Sequence, residues 1–206
     1  MNIDLPKIYP ITDAGISGMS HAEQIERLSE GGATLIQFRE KFATSRDTFD
    51  AAVLADETAR KYGVRLIIND RVDIALALNS QGVHLGQDDL PPAAARRLLG
   101  EAAVIGLSTH SATQVLAALS QPIDYIAIGP IFPTATKQNP DAVVGLDELR
   151  HIRKIAGDFP LVAIGGINSG NLSSVFEAGA DSAALIGAIL SDPSEIAKRM
   201  RQFAGN

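Results

Sequence analysis

The sequence predicts one α/β domain folded as a (β/α)8 TIM barrel. Eight short runs of apolar and β-branched residues recur along the chain, and helical patterns lie between them. The runs are continuously apolar rather than alternating, which is typical of parallel strands buried on both faces. Eight strand–helix units favour a barrel over a doubly wound sheet, which more often has about five or six strands. The Gly-x-Gly-x-x-Gly fingerprint of such sheets is also absent after the first run.

The predicted strands are rich in Ile, Val and Leu. In order they are Ile8–Thr12, Leu35–Arg39, Arg65–Asn69, Gly82–Leu85, Val104–Ser108, Tyr125–Gly129, Leu161–Ile164 and Ser182–Ile186. Because apolar residues fill successive positions rather than alternate ones, we expect both faces of these strands to be buried.

The predicted helices carry Ala, Leu and Ile at helical spacing, with charged residues on the other face. They are Ser20–Glu30, Thr44–Tyr62, Val72–Leu78, Pro91–Leu99, Ala112–Leu119, Leu146–Ala156, Asn171–Glu177 and Ser194–Phe203. Ser20 stands three residues before Glu23, the spacing of a capping box, and Thr44 and Asn171 are suitable N-caps. Glycines follow four of the helices, as is typical of helix ends: Gly31, Gly63, Gly157 and Gly179.

The composition is that of a globular domain and excludes several classes of protein. Of the 206 residues, 46% are hydrophobic and 20% are charged, so neither disorder nor a fibrous repeat is expected. The 18 Lys and Arg against 24 Asp and Glu give a net charge of −6, which argues against nucleic acid as a partner. The chain has no Cys, which excludes disulfides, thiolate zinc sites and a Cys nucleophile. Any metal must therefore be held by oxygen or imidazole ligands.

We expect a single domain spanning residues 1–206 and located in the cytoplasm. No linker or low-complexity segment divides the chain. Residues 1–6 lack the basic region of a signal peptide, and no apolar run approaches the roughly 18 residues of a membrane span. We therefore expect neither nucleic acid nor a membrane as a partner, and the sequence is compatible with a homo-oligomer.

Polar residues follow most of the predicted strands, at the end where barrel enzymes carry their active sites. They are Thr12 and Asp13, Gln37 to Lys41, Asn69 and Asp70, Gln87 to Asp89, Ser108 to His110, and Thr134 to Lys137. The opposite ends of the strands offer nothing comparable. The sequence therefore predicts one functional site, at one mouth of the barrel.

Three groups of residues near these ends suit anionic ligands. They are Gln37, Arg39 and Lys41 after the second strand, Thr134, Thr136 and Lys137 in the long connection 130–144, and Gly165, Gly166 and Gly187 after the last two strands. The first group has a period of two and so shares one face of an extended segment. Hydroxyls and a cation suit phosphate or carboxylate oxygens, while glycine lets backbone N–H groups approach a phosphate closely. The long connection is a candidate lid or binding loop. Each of the three groups alone also fits a solvated strand end or loop.

Asp70 and Asp89 follow the third and fourth strands and lead into helices. Each also fits an N-cap role, for the helices that begin near Val72 and Pro91. Carboxylates at the ends of adjacent parallel strands lie about 5 Å apart at the backbone, close enough to share a divalent cation. Mg²⁺ is typically held by one or two carboxylates, with substrate phosphates and waters as further ligands. The pair therefore predicts an Mg²⁺ site.

The four histidines differ in their sequence surroundings. His21 and His151 lie in helical patterns among polar neighbours and are expected at the surface. His84, at the end of the fourth strand, fits a buried core histidine as well as a ligand. His110, which follows the fifth strand near Ser108, is the candidate general acid or base.

Seven stretches in a fixed order resemble the thiamine phosphate synthase family. They are Tyr9 to Asp13, Gln37 to Lys41, Ile68 to Arg71, Gly82 to Asp89, Gly106 to His110, Asp124 to Lys137 and Ala163 to Ile167. Any one stretch would be weak, but seven in this order are specific, and together they span the chain.

The resemblance implies a barrel transferase that joins hydroxymethylpyrimidine diphosphate to hydroxyethylthiazole phosphate, or to its carboxylate, with Mg²⁺ as cofactor. It implies pyrimidine diphosphate contacts from Gln37, Phe38, Arg39, Glu40, Lys41, Asn69, Ser108 and Lys137. It implies thiazole phosphate contacts from Thr134, Ala135, Thr136, Gly166, Ile186 and Gly187, and Mg²⁺ ligation by Asp70 and Asp89. The catalytic residues would be Arg39, Lys41, Ser108 and Lys137. Charge stabilisation of the departing diphosphate would be the main task, with no protein nucleophile.

Two other functions stay open. A thiazole tautomerase of the same barrel family has a similar Ser-x-His-Ser stretch, here Ser108 to Ser111, and would use His110 to carry a proton. A non-catalytic barrel that binds a phosphate ligand would use the same charged groups without turnover. The presence of Asp70, Asp89 and Lys137 favours the synthase, since a tautomerase has no use for a magnesium diphosphate site.

Overall fold

The computed structural model describes residues 3–134 and 141–205 and shows a parallel barrel of eight strands. The strands are β1 Ile8–Pro10, β2 Leu35–Phe38, β3 Arg65–Asn69, β4 Gly82–Leu85, β5 Val104–Thr109, β6 Tyr125–Ile128, β7 Leu161–Ile164 and β8 Ser182–Leu185. From β2 to β8 each strand pairs in parallel with the next, and β8 pairs with β1, where Ala183 lies opposite Ile8. A single parallel bridge between Ile11 and Gln37 joins β1 to β2 and closes the ring. The predicted barrel is confirmed; β3, β4 and β7 have the predicted bounds, and the other five strands end one or two residues from the predicted position.

Helices cover the outside of the barrel. They are α1 Ala14–Ser17, α2 His21–Glu30, α3 Ser45–Tyr62, α4 Val72–Leu78, α5 Pro92–Leu99, α6 Ala112–Ala118, α7 Gly145–Ala156, α8 Leu172–Glu177, α9 Gly187–Leu190 and α10 Ile196–Ala204. All eight predicted helices are present, while α1 and α9, of four residues each, were not predicted because so short a segment carries no helical periodicity. Within residues 3–134 and 141–205, no helix is both long and apolar enough to cross a membrane.

The predicted helix caps are confirmed in part. The capping box of Ser20 and Glu23 is complete, and the Thr44 side chain caps α3. Asn171 precedes α8 but makes no side-chain cap, because its Oδ1 accepts the backbone N–H of Asn168 instead. The alternative cap roles of Asp70 and Asp89 are wrong, since α4 follows Arg71 and α5 follows Pro91 without a side-chain cap. Both carboxylates are therefore available for another role.

The inside of the barrel is filled by side chains that alternate with those facing the helices. Its apolar part consists of Tyr9, Ile11, Leu35, Ile67, Tyr125, Ala127, Val162 and Ala184. The ring of Tyr125 enters this space because β5 has a glycine beside it: a Cβ on Gly106 would lie 2.1 Å from Tyr125 Cζ. A side chain at position 106 would therefore push the tyrosine out of the barrel.

Ion pairs fasten α5 and α7 to the strands at the end of the barrel where the strands begin. Arg96 on α5 lies 2.8 Å from Asp124, whose carboxylate also accepts the backbone N–H of Ile105 at 2.8 Å. Arg153 on α7 makes the same contact with Asp181 at 2.6 Å, two strands further along. Since Arg96 and Asp124 are only 10% and 13% exposed, their pair is shielded from solvent and holds α5 against β5 and β6.

We expect Asp124→Ala to lower the free energy of unfolding by about 3 kcal/mol, because it removes the carboxylate that pairs with the largely buried Arg96 and that accepts the backbone N–H of Ile105. Asp147→Ala is the matched control. Asp147 pairs with Arg150 on an exposed helix face, where loss of the pair should cost less than about 1 kcal/mol. Urea unfolding of both variants measures the difference, and equal losses would contradict this account.

Candidate active site

A cavity of about 890 Å³ opens at the end of the barrel where the strands finish. All eight strands contribute to its wall. The contributing residues include Tyr9, Gln37, Asn69, His84, Ser108, Ala127, Val162 and Ala184. The cavity therefore lies where the parallel strands bring their carboxyl ends together, as expected for a barrel enzyme.

Most of the site residues inferred from sequence meet in this cavity. Its walls include Gln37, Arg39, Lys41, Asn69, Asp70, Asp89, Ser108, Thr134, Gly166, Ile186 and Gly187. Phe38 and Glu40 do not line it. The Phe38 side chain is buried on the other face of β2, and Glu40 turns back to accept the backbone N–H of Phe42 at 2.9 Å. Ala135, Thr136 and Lys137 lie outside the described residues.

Arg39 and Lys41 are each held by a carboxylate at the mouth of the cavity. Arg39 bonds to Asp13, whose other oxygen accepts the backbone N–H of Ile16 and so caps α1. Lys41 bonds to Asp70. The two cations therefore face the cavity in fixed positions, where they can bind an anionic ligand.

Asp70 and Asp89 lie together at the ends of β3 and β4. Burial, and next the hydrogen bond and charge of Asp70, raise the pKa of Asp89, although the N–H of Gly86 donates to it at 2.6 Å and opposes this shift. Asp70 also has a φ of +61°, a left-handed conformation that costs a non-glycine residue about 1 kcal/mol or more. Two crowded carboxylates, one on a strained backbone, form the kind of oxygen pair that Mg²⁺ uses.

A divalent cation would relieve this crowding and fits the donor set. Among residues 3–134 and 141–205, no cluster of three His, Asp or Glu side chains is arranged to hold a metal. A cation between Asp70 and Asp89 would therefore take its remaining ligands from substrate and water, as Mg²⁺ commonly does.

A chain of hydrogen bonds forms the floor of the cavity. Gln37 donates to the Tyr9 hydroxyl at 3.2 Å, and that hydroxyl lies 3.1 Å from the hydroxyl of Tyr125. Tyr125 lies 2.9 Å from His84 Nδ1, and His84 Nε2 lies 2.8 Å from Ser108 Oγ. Each of these five side chains thus has a partner, which removes most of the cost of burying it.

Burial keeps the floor of the cavity neutral. It lowers the pKa of His84 to about 4 and raises the pKa of Tyr9 to about 12. The structure thus shows His84 as a buried histidine, hydrogen-bonded through both ring nitrogens, that also lines the cavity. Ser108 is therefore positioned to hydrogen-bond a ligand above the floor, and His84 orients the Ser108 hydroxyl rather than supplying charge.

Asn69 carries a polar group without a partner. Its Nδ2 is buried and makes no hydrogen bond in the described structure, although the side chain lines the cavity. A buried unpaired amide costs about 1–3 kcal/mol. A ligand that accepts from this amide would recover that energy.

The side of the cavity near β6, β7 and β8 contains the glycines and His110. A Cβ on Gly166 would lie 2.5 Å from the carbonyl oxygen of Pro133, so only glycine fits there, at a φ of +64°. His110 Nδ1 lies 2.6 Å from the carbonyl oxygen of Gly129, which can only accept, so Nδ1 carries the proton. Val144 donates to the carbonyl of Pro130 at 2.8 Å and ties together the two ends of the long connection.

His21, expected at the surface, is buried, so that prediction is wrong. His21 shares the buried face of α2 with Ile25 and Leu28, and that spacing was a signal available in the sequence. His151 is exposed, as predicted. The roles of Tyr9 and Tyr125 were missed because their hydroxyls meet across 116 residues of sequence, a distance that no local pattern spans.

Comparison with known proteins identifies the family. The family model described as thiamine monophosphate synthase matches residues 8–189. The chain belongs to the thiamine monophosphate synthase family. This match confirms the resemblance seen in the sequence. The chain is therefore a transferase with thiamine-phosphate synthase function.

Relatives of the family match nearly the whole chain. The thiamine-phosphate synthase of Chloroflexus aurantiacus is 46% identical over 198 residues, covering 95% of this chain and 91% of its own length. That of Koribacter versatilis is 44% identical and covers 98% and 97% of the two chains. The structure of a thiamine phosphate pyrophosphorylase from Pyrococcus furiosus superposes with a TM-score of 0.83 at 34% identity, covering 97% and 95%.

The neutral state of His84 predicts a loss of stability in acid. As the pH falls below 6.5, unfolded His84 gains a proton while the folded residue stays neutral down to about 4. Stability is therefore lost through that window, by about 3 kcal/mol from this residue.

Urea unfolding at pH 7 and pH 4 measures this effect. The H84Q variant, which has no titrating ring, should lose about 3 kcal/mol less than wild type between the two pH values. The control H151Q changes an exposed histidine and should behave as wild type does. Equal pH dependence in wild type and H84Q would show that His84 is not held neutral.

Proposed function

We propose that the chain condenses hydroxymethylpyrimidine diphosphate with hydroxyethylthiazole phosphate, or its carboxylate, to give thiamine phosphate and diphosphate, with loss of CO2 as well when the thiazole carries the carboxylate. The observation that carries this proposal is the meeting of Arg39 and Lys41 with Asp70 and Asp89 at one mouth of the barrel. A diphosphate leaving group requires cationic side chains that bind it and, beside them, carboxylates that hold Mg²⁺.

In the proposed reaction, the bond between the pyrimidine methylene carbon and the diphosphate oxygen breaks, and its electron pair leaves with diphosphate. The thiazole nitrogen then donates its lone pair to the pyrimidine methyl cation and forms the new C–N bond. Mg²⁺ held by Asp70 and Asp89 would supply further positive charge to the departing diphosphate. Arg39 and Lys41 stabilise the same charge from the β2 side, and Lys137 is proposed to do so from the long connection.

The remaining residues orient the substrates and keep water out. Gln37, Asn69 and Ser108 are proposed to hold the pyrimidine diphosphate, since all three offer polar atoms at the cavity floor. Phe38 and Glu40 belong to the same stretch but support it from outside the cavity.

The thiazole phosphate is assigned to the opposite wall of the cavity. Thr134, Ala135 and Thr136 are proposed to contact the thiazole, while Gly166, Ile186 and Gly187 are proposed to bind its phosphate. Gly166 and Gly187 both line the cavity, and the loops after β7 and β8 commonly bind phosphate in barrels. A single domain over 1–206, a cytoplasmic location and a monomer or homo-oligomer stay predictions.

Diphosphate release tests this function. Purified protein given the pyrimidine diphosphate, the thiazole phosphate and Mg²⁺ should release diphosphate, and EDTA should abolish the release. Isomerisation of the thiazole carboxylate phosphate without diphosphate release, and regardless of EDTA, would instead support a tautomerase with His110 as proton carrier. Tight binding of the phosphate ligands without any turnover would support a non-catalytic barrel.

Asp89→Ala and Lys137→Ala should each lower the rate of synthesis at least about 100-fold, since each removes a charge that stabilises the leaving diphosphate, a loss of about 2.7 kcal/mol. Asp158→Ala and Lys154→Ala change exposed residues near the end of α7 and serve as controls of matched charge. Steady-state rates of diphosphate release check this. Near-normal rates in both Asp89→Ala and Lys137→Ala would contradict the proposed mechanism.

Magnesium binding has a readout that does not depend on turnover. Mg²⁺ should raise the melting temperature of the wild-type protein, because it neutralises the crowded pair Asp70 and Asp89 in the folded state. Asp89→Asn removes one ligand and one charge, so the shift should be lost. A shift of the same size in this variant would place the cation elsewhere.

A further inference from the structure

A buried histidine lies behind the cationic side of the cavity without lining it. His21 begins α2 and is only 3% exposed. Its Nδ1 lies 2.7 Å from Thr12 Oγ1, and its Nε2 lies 3.2 Å from Glu40 Oε2. The two ring nitrogens thus connect the end of β1 to the segment that follows β2.

The partners of His21 in turn hold the backbone around Arg39 and Lys41. Thr12 Oγ1 accepts the backbone N–H of Arg39 at 3.3 Å. Glu40 Oε1 accepts the backbone N–H of Phe42 at 2.9 Å and that of Ala43 at 3.3 Å. The main chain is therefore fixed on both sides of Lys41 and at Arg39.

The donor and the acceptor can be assigned in both hydrogen bonds that His21 makes with Glu40 and Thr12. An ionised carboxylate only accepts, so His21 Nε2–H donates to Glu40 and Nδ1 accepts the hydroxyl proton of Thr12. Thr12 Oγ1 then keeps lone pairs for the N–H of Arg39. The ring of Phe38, with its centroid 4.3 Å from that of His21, sets the position of the imidazole.

We propose that His21 is a positioning residue, which fixes Arg39 and Lys41 for diphosphate through Thr12 and Glu40. The inference rests on the proposed function, because it assigns the positioned cations to the diphosphate group. Neither His21 nor Thr12 lines the cavity, so neither contacts substrate. Loss of the outer-shell partners of metal ligands typically costs about 10- to 100-fold in affinity or activity. We expect a loss of the same order here, since the ligand must then order the segment that holds the charges.

The H21F variant separates positioning from a merely structural role. Phenylalanine preserves the ring that packs on Phe38 but removes both hydrogen bonds. We expect the KM for the pyrimidine diphosphate to rise about 10- to 100-fold, while the KM for the thiazole phosphate changes by no more than about twofold. The H21Q variant, whose amide can still donate toward Glu40, should recover part of the loss. H151F is the matched control on the exposed face of α7.

Calorimetric titration with inorganic diphosphate and Mg²⁺ tests the inference apart from turnover. Wild type should bind diphosphate, and H21F should bind it about 10-fold or more weakly while keeping the circular dichroism spectrum of a folded protein. Equal affinity in the two proteins would overturn the inference and leave the proposed function standing. Failure of the wild type to bind diphosphate would instead overturn the proposed function.

A second variant covers the case in which H21F does not fold. T12V keeps the size of the buried side chain and removes the acceptor of the Arg39 N–H, so it should also weaken diphosphate binding selectively. An equal loss for both substrates in T12V would show a structural role only and would overturn the inference.

Discussion

The closure of the barrel between β1 and β2 is the constraint on which the rest of the site depends. The other seven pairs of neighbouring strands share three or four registered positions each, whereas β1 and β2 share one bridge, between Ile11 and Gln37. Thr12 N–H donates to the carbonyl of Gln37 at 2.8 Å and extends that contact. Because so little backbone pairing joins β1 to β2, side-chain contacts must hold the carboxyl ends of these two strands together. Arg39 and Lys41 follow β2 at this end. The contacts of His21 with Thr12 and Glu40 hold these ends together.

The hydrogen-bonded floor of the cavity lines a ligand site with polar groups that do not carry charge. The Tyr9 and Tyr125 hydroxyls, His84 and Ser108 are buried or half-buried, and an unpaired polar group there would cost several kcal/mol. Pairing them in one chain removes that cost, while burial lowers the pKa of His84 and so holds it neutral. The floor therefore offers fixed dipoles, while the charges lie at the rim, where solvent and ligand both reach them.

Whether a feature of this protein can be predicted from its sequence depends on how far apart along the chain its residues lie. The strands were found because parallel strands buried on both faces are apolar throughout, and Gln37, Arg39 and Lys41 were grouped because a strand repeats every two residues. Features that join distant parts of the chain carry no such local pattern. The contact between Tyr9 and Tyr125 and the turn of Glu40 toward His21 depend on how strands 1, 2 and 6 are placed around the ring. The same limit explains why N-cap roles are expected for Asp70 and Asp89 from the sequence. Each position fits an N-cap in its local sequence, but in the folded protein both carboxylates lie in the site instead.

The ion pairs at the rim connect cation binding to anion binding. Lys41 contacts Asp70, so a divalent cation that binds between Asp70 and Asp89, as proposed, competes with Lys41 for the same carboxylate. On the proposed function, Lys41 would then be free to contact diphosphate, and diphosphate that draws Lys41 away would in turn expose Asp70 to the cation. Because coupling between two ligands is reciprocal, each of the two proposed ligands would favour the binding of the other. Without ligand, the same pairs hold the charged groups in place at the mouth of the cavity, so the site is organised before the substrate arrives.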